Sequence, residues 1–313
     1  MANEELSKRV YVRTIKEVFN LEQICGDDES LNRWIIAPDV TRPGLELSGY
    51  LESNDLKRVV ILGNKEYDYI VKLDENTQRQ RCEIITDSFT PCIILSDGCK
   101  NLPVLEEICC QKNFPLFRYP EKTYQLIVDI VSYLSEELAP TESMYGVMMN
   151  IFGKGVMICG KSGIGKSELA LDLINRGHML VSDDCVDVSR VHKNIICKAP
   201  KVLKNMLEIR GLGVVDVTKL FGANASLDKC QLDFIIQLAK LEEVTQMDRL
   251  NPLTEKTDVL GLQIPTLTIP ITEGKSLSVI IESAVMNHTL MKKGFDSNEE
   301  FKKKVRENIG KEN

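Results

Sequence analysis

The chain has few of the features that mark membrane, secreted or zinc-binding proteins. No apolar run approaches the roughly 18 residues that a membrane-spanning helix needs. The N-terminal residues, Met1 to Glu5, are polar and acidic, unlike a signal peptide. Only three histidines occur, and none of the ten cysteines forms a C-x-x-C pair, so zinc-ligand spacing is missing. We therefore expect a cytoplasmic protein with reduced thiols, in which Cys109 and Cys110 pack as small hydrophobic side chains.

Long basic runs are also missing, and the net charge is −7. This balance argues against nucleic acid as a partner, and the apolar content predicts no membrane association. The proportions of 43% apolar and 27% charged residues are those of a globular protein. A length of 313 residues favours two domains.

Short strands and helices alternate in the first part of the chain. The apolar runs from Val59 to Gly63 and from Cys92 to Leu95 predict buried strands, and an apolar stripe between Lys122 and Leu138 predicts a helix. The best linker candidate covers residues 139–143, because Pro140 discourages a continuing helix. We predict an α/β protein with a smaller N-terminal α/β domain at residues 1–138 and a second domain at 139–313.

The first motif of the second domain is a predicted phosphate-binding loop. The segment fits G-x-x-x-x-G-K-[ST], the Walker A pattern, and consists of Gly160, Lys161, Ser162, Gly163, Ile164, Gly165, Lys166 and Ser167. Its glycines allow backbone N–H groups to surround phosphates, while Lys166 would reach the β- and γ-phosphates and Ser167 would ligate Mg²⁺. An apolar strand before it and a helical pattern after it favour a nucleotide site over a ligand-free glycine turn, and predict a P-loop kinase domain.

Two further segments carry charge toward such a site. Asp183 and Asp184 follow an apolar run, where they would hold Mg²⁺ or act as a base, or would simply cap a turn. Glycines, Glu208 and Arg210 between residues 206 and 216 predict a mobile charged loop, although a plain surface loop fits equally well. No Asn-Lys-x-Asp motif occurs, which disfavours a GTPase.

Together these segments resemble bacterial HPr kinase/phosphorylase along nearly the whole chain. Residues 41–50 are similar to the family's RPGLEL-[ST]-GY stretch, and the order of the loop, residues 175–178 and the aspartate pair follows its kinase domain. The heptapeptide Leu-Glu-Ile-Arg-Gly-Leu-Gly at residues 207–213 is the most distinctive match.

The resemblance implies an ATP- and Mg²⁺-dependent kinase of a regulatory serine in the phosphocarrier HPr. The same enzyme would remove that phosphate by phosphorolysis, and would thereby control carbon metabolism and sugar uptake. Pyrophosphate is a second possible phosphoryl donor, and a homohexamer is expected. The N-terminal domain would serve assembly or regulation.

Individual roles follow from the same resemblance. Lys166 would hold phosphates, Ser167 and Glu208 the metal, and Asp184 would be the catalytic base, with Arg249 as a catalytic arginine. The implied catalytic loop consists of Leu207, Glu208, Ile209, Arg210, Gly211, Leu212, Gly213, Val214, Val215 and Asp216. The implied dephosphorylation loop consists of Pro270, Ile271, Thr272, Glu273, Gly274 and Lys275.

This chain departs from the family pattern at three positions. Tyr145 stands where the family has a catalytic histidine, and a phenol cannot carry positive charge at pH 7 as imidazole can. Lys161 replaces a common aspartate, and Lys275 a common arginine. The tyrosine leaves open a non-catalytic or kinase-only nucleotide sensor, and a small-molecule kinase is a further alternative.

Overall fold

The computed structural model describes residues 8–50, 57–97, 99–243, 255–272 and 276–309. The chain divides into two compact units, Met1–Ala139 and Pro140–Asn313. Both units combine helices with β-sheet, as expected for a two-domain α/β protein. None of the described helices combines the length and apolar character that crossing a membrane requires.

The first unit is an α/β layer structure built on a mostly parallel sheet. Its described strands are β1 (Val10–Tyr11), β2 (Glu22–Cys25), β3 (Trp34–Ile35), β4 (Val40–Thr41), β5 (Val59–Leu62), β6 (Ile93–Leu95) and β7 (Leu116–Arg118). Its helices are α1 (Val12–Val18), α2 (Gly44–Ser48), α3 (Asn64–Ile70), α4 (Glu75–Ile85), α5 (Pro103–Gln111) and α6 (Thr123–Glu137).

The sheet of the first unit has the order β2-β7-β6-β5-β4. The strands from β4 to β7 are parallel, β2 is antiparallel to β7, and β1 pairs separately with β3. Every residue of β5 and β6 is buried, because helices cover both faces of a parallel sheet. One face packs against α2 to α5 and the other against α1 and α6.

Two cysteines of the first unit differ from the expectation of reduced thiols, whereas Cys82, Cys92, Cys99 and Cys109 are free. Cys25 at the end of β2 and Cys110 in α5 form a disulfide. Cys109 is fully buried among apolar side chains, as expected, whereas Cys110 lies at the surface. Side chains at adjacent helix positions point in different directions, so Cys109 faces the core while Cys110 faces the surface and Cys25.

The second unit is a larger mixed sheet with helices on one side. Its described strands are β8 (Thr141–Tyr145), β9 (Val147–Ile151), β10 (Lys154–Cys159), β11 (Met179–Ser182), β12 (Cys185–Val191), β13 (Asn194–Lys198), β14 (Met206–Ile209), β15 (Gly213–Asp216), β16 (Lys229–Lys240), β17 (Glu255–Val259) and β18 (Leu262–Ile271). Its helices are α7 (Lys166–Asn175), α8 (Val217–Phe221), α9 (Leu277–Lys292) and α10 (Ser297–Ile309).

The larger sheet runs β11-β9-β10-β16-β13-β12-β8, with β18 pairing β16 and β17 pairing β18. At its centre β10, β16 and β18 are parallel neighbours, so their carboxyl ends lie at one edge. Helices α7 and α9 pack on one face through Leu169, Leu173, Ile281 and Val285. Ligands bind at this kind of edge in α/β proteins, and the phosphate loop leaves β10 there.

The predicted linker is wrong in its second half. Residues 141–143 belong to β8, which pairs antiparallel with β12 at the border of the sheet. Most of β8 is solvent-exposed, so it lacks the apolar pattern that marks a strand in sequence. Contacts divide the chain between Ala139 and Pro140, one residue after the boundary expected from sequence.

Candidate functional site

The phosphate loop connects the buried strand β10 to the amphipathic helix α7. Gly163 has φ of +75° and Gly165 has φ of +97°, a region that side-chain-bearing residues rarely adopt. These two glycines turn the chain sharply before α7 begins at Lys166. The Lys166 ammonium donates to the carbonyl oxygens of Gly160, at 3.0 Å, and Lys161, at 3.2 Å. The loop therefore holds its lysine against its own backbone.

A buried carboxylate joins the loop to the neighbouring elements. Asp183 is only 5% exposed and accepts from the Ser167 hydroxyl at 3.2 Å through both of its oxygens. The backbone N–H of Glu208 donates to the same carboxylate at 3.2 Å. Burial raises the pKa of Asp183, while the hydrogen bonds from Glu208 and Ser167 act in the opposite direction. The start of α7, the end of β11 and the strand β14 thus meet at one side chain.

Asp184 is oriented differently from its neighbour. It is exposed and has φ of +65°, a left-handed conformation that aspartate tolerates better than most residues. The Cys185 N–H donates to the Asp183 carbonyl at 2.8 Å, closing a three-residue turn around Asp184. The Gly146 N–H fixes the turn further by donating to the Asp184 carbonyl at 3.0 Å. Backbone strain of this kind is common where a side chain must be aimed at a ligand.

The segment expected to be a mobile charged loop is instead a β-hairpin. Strands β14 and β15 pair antiparallel, with Leu207 buried at the base. The side chain of Asp216 caps α8 by accepting from the Thr218 N–H at 3.0 Å. The turn between the strands closes through the Leu212 N–H, which donates to the Ile209 carbonyl at 3.0 Å. Glu208 and residues 210–214 are exposed, so the hairpin lacks the alternating apolar pattern that marks a half-buried strand in sequence.

These elements enclose a cavity of about 520 Å³. Its lining consists of Ser162, Gly163, Gly165, Lys166, Ser167, Glu168, Asp183, Asp184, Glu208, Ile209, Arg210, Gly211 and Gly213. The structure therefore brings together Lys166, Ser167, Asp184 and Glu208, the residues expected from sequence to hold phosphate, metal and proton. Their roles remain predictions.

Other expected site residues lie beside the cavity or outside the described part of the chain. Tyr145 ends β8 opposite Cys185, is 77% exposed, and does not line the cavity. Pro270 and Ile271 end β18 at the carboxyl edge, and Thr272 follows them. Arg249 falls outside the described residues, as do Glu273, Gly274 and Lys275.

Asp183 is the residue whose importance the sequence did not resolve. The residues alone marked both aspartates as a carboxylate pair after a strand, and the family resemblance gave the base role to Asp184 and no role to Asp183. The structure separates them, because Asp183 bonds to Ser167 and Glu208 while Asp184 projects from a strained turn.

No group of three or more His, Cys, Asp or Glu side chains in the described ranges is arranged to hold a metal ion alone. The hard oxygen atoms of Ser167, Asp183 and Glu208 are nevertheless the donor type that Mg²⁺ prefers. Magnesium in kinases takes one or two protein ligands and completes its shell with phosphate oxygens and water. The donor set fits that manner of binding.

Comparison with known protein families matches nearly the whole chain. The family model described as HPr Serine kinase C-terminal domain matches residues 136–305, and the HPr Serine kinase N terminus model matches residues 10–134.

Named relatives of similar length match as well. The HPr kinase/phosphorylase of Bacillus velezensis is 39% identical over 298 residues, covering 95% of this chain and 96% of the relative. The HPr kinase/phosphorylase of Bacillus subtilis is 39% identical over 301 residues, with the same coverage. Among solved structures, the Hpr(Ser) kinase/phosphatase from Coxiella burnetii is 38% identical, with a TM-score of 0.48, covering 51% of this chain and 98% of its own. Two family models and 39% identity over 95% of the length establish that the chain belongs to the HPr serine kinase family.

Proposed function

We propose that this protein transfers the γ-phosphoryl group of ATP to a serine hydroxyl of HPr. In the kinase direction the serine oxygen bonds to phosphorus, the bond to the ADP oxygen breaks, and the serine proton leaves to a base. In phosphorolysis, inorganic phosphate attacks the phosphorus of the phosphoserine, the bond to the serine oxygen breaks, that oxygen takes up a proton, and pyrophosphate forms. Pyrophosphate can then serve as the donor in place of ATP.

The observation that carries this proposal is the convergence on Asp183. Ser167 from the phosphate loop and Glu208 from the hairpin both bond to this buried carboxylate, while the exposed Asp184 lies next to it. A phosphate chain bound by the loop would therefore have a metal-binding face and a proton acceptor on the same side. Phosphoryl transfer needs this combination of positioning and charge stabilisation.

Asp184 is the residue that we assign to proton transfer. A general base must reach the hydroxyl it deprotonates, and Asp184 is exposed to an approaching protein whereas Asp183 is not. In phosphorolysis the same carboxyl group would return a proton to the departing serine oxygen. Asp183, already engaged by Ser167, acts by positioning that hydroxyl.

Magnesium would be held by Ser167 and Glu208 together with the bound phosphates. The ion supplies positive charge that neutralises the phosphate oxygens during transfer. The Lys166 ammonium, 3.0 Å from the Gly160 carbonyl, would turn toward the β- and γ-phosphates when they enter the loop.

Arg249 and the loop at residues 270–275 complete the proposal by family resemblance. Arg249 would stabilise charge on the transferring phosphoryl group, and the 270–275 loop would act in phosphorolysis. We further propose a homohexamer in which the N-terminal unit, with a boundary near residue 139, serves assembly or regulation.

The alternative is a nucleotide sensor without transfer, or with kinase activity alone. It is motivated by Tyr145 at the position of the family histidine. The retained Asp184 and Glu208 disfavour it, since a sensor that only binds nucleotide has no need of a base beside the metal face.

The test is direct. The full-length protein is incubated with HPr, Mg²⁺ and ATP or pyrophosphate, and the mass of HPr is measured. One added phosphoryl group on a serine is expected, and adding inorganic phosphate should remove it and generate pyrophosphate. No transfer under varied donor and metal concentrations would exclude the kinase. Transfer without reversal would support the kinase-only alternative.

A further inference from the structure

Arg210, at the tip of the β14–β15 hairpin, reaches the phosphate loop from across the cavity. A Cβ atom built on Gly163 would lie 3.7 Å from Nη2 of Arg210. Gly163 belongs to the part of the loop whose backbone surrounds phosphates, and both residues line the same cavity. The guanidinium therefore lies close to the phosphate loop at Gly163.

The described residues do not neutralise the charge of Arg210. Across the described ranges no carboxylate lies within ion-pair distance of it, although four carboxylates line the same cavity. Lys166 and Arg210 are the two cationic side chains in that described lining. A polyphosphate entering this acidic cavity needs cationic contacts, and Arg210 is available to supply one.

The hairpin gives this arginine a fixed base. Gly211, directly after it, has φ of +87°, as the third residue of a type II turn requires. At the other end of β14, Leu207 is fully buried and the Glu208 N–H is bonded to Asp183. The long side chain of Arg210 extends from this base, and a guanidinium offers two parallel N–H donors to phosphate oxygens.

We propose that Arg210 binds the terminal phosphates of the donor, clamping them between the hairpin and the phosphate loop. The ligand chemistry is a phosphate chain, either the β- and γ-phosphates of a nucleoside triphosphate or inorganic pyrophosphate. The inference rests on the proposed function for its place in catalysis, but the phosphate contact itself can be measured without any acceptor.

The experiment compares Arg210→Ala, Arg210→Lys and the matched control Lys219→Ala in the full-length protein. Lys219 is an exposed cation on α8, just beyond the hairpin, and its removal changes the net charge equally. Dissociation constants for pyrophosphate and for MgATP are measured by calorimetry, and HPr phosphorylation is measured separately. Thermal melts verify that each variant folds.

Arg210→Ala is expected to weaken pyrophosphate and MgATP binding by about tenfold or more, with Arg210→Lys intermediate because it loses the fork. Lys219→Ala should stay within about twofold of wild type.

Weaker binding of MgATP alone would show that the nucleotide is required for the contact. Weaker binding of both ligands would show that the phosphate chain suffices, and either result supports the clamp. Unchanged dissociation constants in Arg210→Ala would overturn it, even if the KM for HPr rose. If Arg210 governs pyrophosphate binding but HPr is never phosphorylated, the proposed function fails and the phosphate contact stands.

Discussion

The Ser167 hydroxyl and the Asp183 carboxylate lie 3.2 Å apart, joining the first turn of α7 to the end of β11. This contact fixes the hydroxyl that would face a metal ion. Because Asp183 is buried and also accepts from the Glu208 N–H, it sets the positions of both expected metal ligands at once. Asp183 is therefore a positioning residue, which would act on the phosphates through Ser167 and Glu208 and not by direct contact.

Replacing Asp183 should therefore weaken the binding of Mg²⁺ with the nucleotide more than it slows the phosphoryl-transfer step. Asp183→Asn is expected to lower the affinity for Mg²⁺ in the nucleotide complex by about 10- to 100-fold, as loss of an orienting partner does. Magnesium titrations of ATP binding measure the change. Asp228→Asn, which removes an exposed carboxylate paired with Lys204, is the control and should leave the titration unchanged. An Asp183→Asn variant with a normal magnesium requirement contradicts the positioning role.

Replacing Asp184 should instead slow phosphoryl transfer and leave ATP binding nearly unchanged. Asp184→Asn is expected to slow phosphoryl transfer to HPr by about 10²- to 10⁴-fold, the usual contribution of a general base. ATP binding should change by less than about twofold, because Ser167 and Lys166 are held by hydrogen bonds to Asp183 and Gly160 and not by Asp184. Single-turnover transfer and equilibrium binding are measured on the same samples. Lost ATP binding would refute the assignment of the base.

Local sequence signals were sufficient for the elements that frame the site. The apolar strand expected before the phosphate loop is confirmed as β10 (Lys154–Cys159), and the helix expected after the loop is confirmed as α7 (Lys166–Asn175). Both follow from the apolar patterns on either side of the glycine-rich loop. The two-domain α/β architecture is also confirmed.

Features that depend on distant pairing could not be predicted. The polar strand β8 forms only because β12 lies beside it, and the β14–β15 hairpin has an exposed tip without alternation. The resemblance implied a base role for Asp184, but the buried position of Asp183 and its bonds to Ser167 and Glu208 depend on the fold, which two identical neighbours in sequence do not reveal. The roles of Arg249 and Lys275 stay predictions.

Tyr145 gives a prediction specific to this chain. Tyr145 pairs with Cys185, the residue after Asp184, and precedes Gly146, whose N–H donates to the Asp184 carbonyl. Tyr145→His would therefore bring a titratable imidazole near the base. We expect the ratio of phosphorolysis to kinase rate to change by about tenfold between pH 6 and pH 8, where imidazole titrates. Both rates are measured across that range, with Tyr145→Phe as the control that removes only the hydroxyl. Identical pH profiles in Tyr145→His and wild type would mean that this position does not influence either reaction.

An ion cluster between α7 and α9 predicts the acid stability of the second unit. Glu282 accepts from Arg176 at 2.6 Å and is 2.9 Å from His178, and the hydrogen bond from Arg176 lowers the pKa of Glu282 to about 2. Since the folded-state pKa lies below the ordinary value of 4.5, the stabilisation is fully present above pH 4.5 and is lost as pH falls toward 2.

Glu282→Gln is accordingly expected to lower the free energy of unfolding by about 1–2 kcal/mol at pH 7, after allowance for the solvent-exposed Arg176. Urea unfolding of variant and wild type should converge as pH falls below 4.5. Glu299→Gln, which removes the exposed carboxylate that pairs with Lys302, should cost less than about 0.5 kcal/mol. A constant difference across pH would exclude a role for the Glu282 charge.

The disulfide between Cys25 and Cys110 predicts a redox-dependent stability of the first unit. The bond closes a separation of 85 residues between β2 and α5, and Cys110 is accessible to a thiol reductant. Reduction, or Cys110→Ser, should destabilise the first unit by about 2–4 kcal/mol, because the unfolded chain is no longer constrained. Thermal unfolding with and without reductant measures this, and Cys185→Ser in the second unit should melt like wild type. Alkylation in denaturant, without prior reduction, should modify the eight free cysteines. Modification of all ten cysteines would show that the bond does not form.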